Sequence, residues 1–156
     1  MTDLPVFTVA DLEAVAAFDQ ESFDNDDAVA LGVIAVEVIR KHAADLAVRI
    51  VLRGDAVFVA KLGRTGPGND PWLAGKAAVA ERFAEPSLLV RRRHEEAGTP
   101  FADRTDVDHD VFRAHGGSVP IFVGGAVVGT ITMSGEPDVV DHAVVAEAIR
   151  RYRRSR

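Results

Sequence analysis

Apolar positions recur along this 156-residue chain with two different periods, and the element changes where the period changes. Leu12, Val15, Ala16 and Phe18 stand at helical spacing and predict a first helix over residues 11–23. A second helix, over 26–43, follows the cap-forming series Asp24-Asn25-Asp26-Asp27 and sets Leu31, Ile34, Val38 and His42 along one face. Val29, Val33 and Val36 make it apolar nearly all round, the pattern of a buried helix. The period then drops to two. Val48, Ile50 and Leu52 alternate with Arg49, Val51 and Arg53, Gly54-Asp55 turns, and residues 56–62 return as a second strand.

After a glycine-rich crossing over 63–70, Pro71 suits a first helical position with Asp70 as N-cap, and that helix runs to about Ala84. Pro86 breaks it, Ser87 can cap the next helix, and residues 88–97 run to a stop at Gly98. Residues 99–113 are acidic and read as irregular. The stretch 115–135 reads as a hairpin, with apolar runs at 119–123 and 126–134 joined by Gly124-Gly125. Pro120 cannot donate to a ladder, so its strand belongs at an edge or begins near it. Pro137 opens a last helix with Val140, Val144, Ala148 and Tyr152 on one face. The order α-α-β-β-α-α-β-β-α predicts a single α+β domain over 1–156, with helices covering an antiparallel sheet.

Composition narrows the functions more than the fold. A formal net charge of −6 argues against general nucleic-acid binding, and five arginines from Arg150 to Arg156 read as a solvated helix end. There is no cysteine, which excludes disulfides, thiolate nucleophiles and zinc-cysteine sites. The N-terminus lacks a secretory pattern. No apolar run approaches the roughly 20 residues that span a bilayer. A cytoplasmic protein without membrane contact is the default expectation.

Three places carry candidate chemistry. The loop 63–70 leads into a helix, where anions often bind, and Arg64 with Lys76 would suit a small anion. Its glycines match neither a P-loop nor a dinucleotide fingerprint, and a capped helix explains the loop as well. Asp106-Val107-Asp108-His109-Asp110 resembles the start of a calcium loop but has Val111 and Gly117 where that template needs Gly and Glu, so a solvated acidic loop is favoured. His115 is set apart by Gly116 and Gly117, which open space beside its ring. His142, one turn after Asp138, would be oriented by that carboxylate.

The block from Ala114 to Ile149, with His115-Gly116-Gly117 before Pro120-Ile121 and Ser134-Gly135 before Asp141-His142, resembles the haem-degrading-domain family of HbpS/GlcG-like proteins. It is most similar to their small stand-alone branch of uncharacterised conserved proteins. Pro67, Asn69, Asp70, Trp72 and Lys76 match the Pro-x-Asn-Asp-x-Trp motif and following lysine of that branch. The resemblance covers nearly the whole chain. It implies a profilin-like α/β/α sandwich with an antiparallel sheet of four to five strands, a homo-oligomer, and haem or another small ligand. The implied ligand-binding residues are Asn69, Trp72, Lys76, His115, Gly116 and Gly117. His115 is the implied iron donor, with His142 or Met133 as alternatives, and Lys76 or Arg64 would pair with propionates. Two other readings stand beside this one: a non-enzymatic homo-oligomeric scaffold or chaperone-associated factor, and a metal-dependent enzyme acting on a small anionic metabolite.

Overall fold

The computed structural model describes residues 3–14 and 18–156. Helix α1 spans Val9–Ala14, where Thr8 and Asp11 cap each other reciprocally. The first helix is thus shorter than its periodicity suggests. Val15 and Ala16 lie outside the described residues, and beyond them the chain is extended: Asp19–Gln20 forms a strand, β1. Helix α2, Asn25–Lys41, begins where Asp24 and Asp27 close a capping box. Strands β2 (Ala47–Leu52) and β3 (Asp55–Lys61) form a hairpin whose two turn residues, Arg53 at φ 51° and Gly54 at φ 81°, are both left-handed. The turn therefore sits one residue earlier than expected.

A 3₁₀ turn over Pro67–Asn69 leads into α3, Asp70–Phe83, and α4 follows over Ser87–Glu96. Ser87 is the first helical residue rather than a cap. Its Oγ accepts from the Ser118 amide at 3.0 Å, stapling α4 to the sheet. A short 3₁₀ turn at Phe101–Asp103 interrupts the irregular stretch before β4 (Ser118–Val123), β5 (Ala126–Ser134) and α5 (Asp138–Arg154).

The five strands lie in the order β1-β4-β5-β2-β3. All neighbours are antiparallel except β1 and β4, so the sheet is mixed. Pro120 is tolerated in β4 because of alternation. The amides of Ser118, Phe122 and Gly124 all point away from β5, to Ser87, Phe18 and Gln20, and Pro120 shares their register. One face of the sheet, with Val48, Ile50, Ile121 and Ile131, packs on Leu31, Val38 and Ile39 of α2 and Val145 and Ile149 of α5 as the main core. Helices α3 and α4 cover the other face. Helix α2 is not buried all round: Val29 and Val33 are 42% and 48% exposed.

Candidate functional site

Helix α3 is tied to the end of β5 through its first turn. Asn69 accepts the Gly66 amide at 3.0 Å and donates from Nδ2 to Ser134 Oγ at 3.2 Å. Asp70 does not cap the helix; its exposed carboxylate pairs with Lys61 at 2.8 Å. One helical turn separates Trp72 from Lys76, yet their fates differ. Trp72 stays 36% exposed, whereas Lys76 turns inward and is 3% exposed. Its Nζ donates to the Met133 carbonyl at 3.0 Å and to Asp141 Oδ2 at 2.7 Å. Lys76 is therefore not a surface cation waiting for a ligand but half of a buried ion pair joining α3 to α5. Burial pushes the Asp141 carboxyl up to about 6, against the pull of Lys76 and of the Glu136 amide that binds its other oxygen.

His115 meets Trp72 edge-on, with ring centroids 5.1 Å apart. The residue is exposed at its rim, but desolvation of its inner side, followed by the positive field of Arg91, lowers its pKa below 6.5 although Asp138 opposes the shift. Both effects favour the neutral imidazole, which makes no side-chain hydrogen bond among the described residues. Asp138 lies beside it. Burial alone would raise that carboxyl, but the Gly116 amide at 2.9 Å and Arg91 at 2.8 Å bind its Oδ2 and hold it below the usual range. The two glycines after His115 make room for protein rather than for a flat ligand. A Cβ on Gly116 would stand 2.5 Å from the Asp138 carbonyl, and one on Gly117 (φ +131°) 2.5 Å from that of Met133.

Four of the six nominated residues, Asn69, Trp72, Lys76 and His115, line one cavity of about 360 Å³. Glu136, Asp138 and Asp141 border it as well, so carboxylates outnumber the single ammonium and the cavity does not suit a small anion. Arg64 takes no part. It is exposed and binds Asp45 through Nε at 3.0 Å and Nη2 at 2.8 Å. Trp72 and His115 also form one wall of a second cavity of about 700 Å³, bordered by Phe101, Phe112, Arg91 and Arg113. Sequence reasoning missed this cavity because its walls come from the irregular stretch before β4. Two phenylalanines in an otherwise acidic segment were the available signal.

The other nominated groups lie elsewhere. Met133 is fully buried in the main core, and His142 is fully buried with neither ring nitrogen partnered; neither lines either of these two cavities. Asp138 is bound to Arg91 and Gly116 rather than orienting His142, which instead packs edge-on against Phe7 at 4.9 Å. Burial pushes the His142 pKa down to about 4. In the acidic run, Arg104 holds Asp106 and the Arg104 carbonyl meets His109. Among the described residues no group of three or more histidine and acidic side chains could hold a metal ion, and no helix is long and apolar enough to cross a membrane.

The family model described as haem degrading protein HbpS-like matches residues 23–150. A UPF0303 protein of Streptomyces coelicolor is 43% identical, covering 93% of each chain. Among solved structures, Ybr137w superposes with a TM-score of 0.83 at 22% identity, covering 94% of this chain and 88% of that one. A structure described as a PduOC–haem complex gives a TM-score of 0.68 at 18% identity, covering 83% and 94%. These likenesses bear out the profilin-like α+β fold.

Proposed function

The chain belongs to the HbpS-like family of haem degrading proteins, and from that premise we propose that it binds a small ligand at the Trp72–His115 ridge, with haem as the first candidate. The observation that carries this reading is the state of His115. Its imidazole stands at a cavity wall, with burial favouring the neutral form and no side-chain hydrogen bond among the described residues. That is the condition a nitrogen donor to haem iron requires. The haem complex formed by the structurally similar PduOC adds support. Bound haem would supply iron-centred redox chemistry; the chain's own part is to offer the donor and an aromatic wall. Titration of purified protein with hemin tests this. A saturable Soret shift is expected for the native chain and for His109→Ala, a second histidine at the larger cavity, and not for His115→Ala. Identical spectra for all three proteins would remove His115 as the donor.

A homo-oligomer accompanies this reading. Val29 and Val33 on α2 are large apolar side chains left in water, and the outer edge of β3 has no neighbouring strand among the described residues. Light scattering on a gel-filtration peak should give a mass above the 16.7 kDa of one chain. A monomer at micromolar concentration would remove the proposal.

A further inference from the structure

Arg113 is set in place with unusual care for a residue in irregular chain. Its amide donates to the Gly75 carbonyl of α3 at 3.0 Å. Its aliphatic stem lies across Gly75, where a Cβ would come within 2.6 Å of the arginine Cγ. A glycine weakens the interior of a helix, and here it provides the bed for that stem. The guanidinium then rests 4.4 Å over the ring of Trp72. Arg91, on the same cavity, is occupied by Asp138 and Glu95. Arg113 has no carboxylate partner among the described residues; its one side-chain bond, at 3.5 Å, goes to the Asp110 carbonyl.

The cavity this cation faces is the larger one. Phe101, Phe112 and Ala114 give it apolar walls, and its volume of about 700 Å³ suits a molecule of several rings. Glu95 and Asp110 also border it, but Glu95 is held by Arg91 and Arg92. With Nε turned to the Asp110 carbonyl, the two terminal Nη groups of the stacked guanidinium remain to match a carboxylate bidentately.

We propose that this cavity is a binding site for a planar aromatic carboxylate, its rings against Phe101 and Phe112 and its carboxylate on the fork of Arg113. His115 is a wall of the same cavity, but the carboxylate is read by Arg113 rather than by the imidazole. The probe is 2-naphthoate, with 2-naphthalenemethanol as its uncharged counterpart, titrated by calorimetry into the full chain. The native protein should bind one naphthoate per chain at least tenfold more tightly than the alcohol. Arg113→Gln, which removes the guanidinium with its charge and keeps a shorter polar stem over Gly75, should abolish that preference while the alcohol still binds. Gly75→Ala should weaken naphthoate by displacing a cation that is still present. His115→Ala should keep the preference for acid over alcohol even where it loses hemin, which separates this proposal from the previous one. Equal affinities for acid and alcohol, an unchanged preference in Arg113→Gln, or loss of the preference in His115→Ala would each overturn it.

Discussion

Along β4 and β5, Val119, Ile121, Ile131 and Met133 belong to the face packed on α2 and α5, while Ser118, Thr130, Thr132 and Ser134 alternate with them on the face under α3 and α4. Both sets are buried, with Thr130 and Thr132 only 2% and 1% exposed. The apolar face is stabilised by area, which is non-directional and tolerant of small shifts. The hydroxyl face must match each group to a partner, as Ser118 Oγ does with Thr132 Oγ1 at 2.9 Å and Ser134 with Asn69. Directional matching fixes where α3 lies, and the smaller cavity opens at the Ser134 end of that face. One sheet thus separates the work of holding the fold together from the work of positioning side chains.

The largest expected effect probes the charged pair on the polar side. Lys76→Met leaves Asp141 buried without its cation and should cost about 3–5 kcal/mol in urea unfolding at pH 8. Lys76→Met/Asp141→Leu should recover most of that, since a buried pair is often replaceable by apolar residues. A double variant as unstable as the single one would show that the pair stabilises the fold in its own right. On the apolar side, Ile50→Ala should cost about 2–5 kcal/mol. Thr132→Val, nearly isosteric, leaves the buried Ser118 hydroxyl without this partner and should cost about 1–3 kcal/mol. Equal losses would erase the distinction between the faces. The smallest effect belongs to Asp70→Ala at the surface, about 0.2–1 kcal/mol for an exposed pair, measured by the same unfolding curve. A loss near 2 kcal/mol, the upper end for a lost N-cap, would restore the reading of Asp70 as a cap.

What was legible in the sequence was local. Gly124-Gly125 between two apolar runs gave the hairpin, and the aspartates before α2 gave its start. The two-residue β1 was not legible, because it exists only through its bonds to Phe122 and Gly124 far along the chain. Lys76 was read as exposed because lysines usually are. Yet it shares a stripe with Leu73 and Ala80, and Asp141 shares one with Val144, Val145 and Ala148, all of them buried. A charged residue in register with an apolar stripe was the overlooked sign. Pairing these two across 65 residues needs the fold.

Asp141 and His142 are neighbours in the chain, and their shifts have opposite senses. His142 ionises near 6.5 when unfolded and near 4 when folded. Below pH 6.5 the unfolded chain therefore gains a proton that the native chain refuses, and stability falls as pH drops toward 4. Asp141 moves from 3.8 up to about 6, so below pH 6 the native chain gains a proton that the unfolded chain refuses, and stability rises over nearly the same interval. Between pH 4 and 6 folding trades an imidazolium and a carboxylate for a neutral imidazole and a carboxylic acid, with no net proton uptake at these two residues. At these two positions the contributions to stability offset each other, each masking the other's titration. Replacing His142 with Phe should leave Asp141 unopposed and make the urea midpoint fall from pH 4.5 to 6.5; a flat profile in that variant would contradict the compensation.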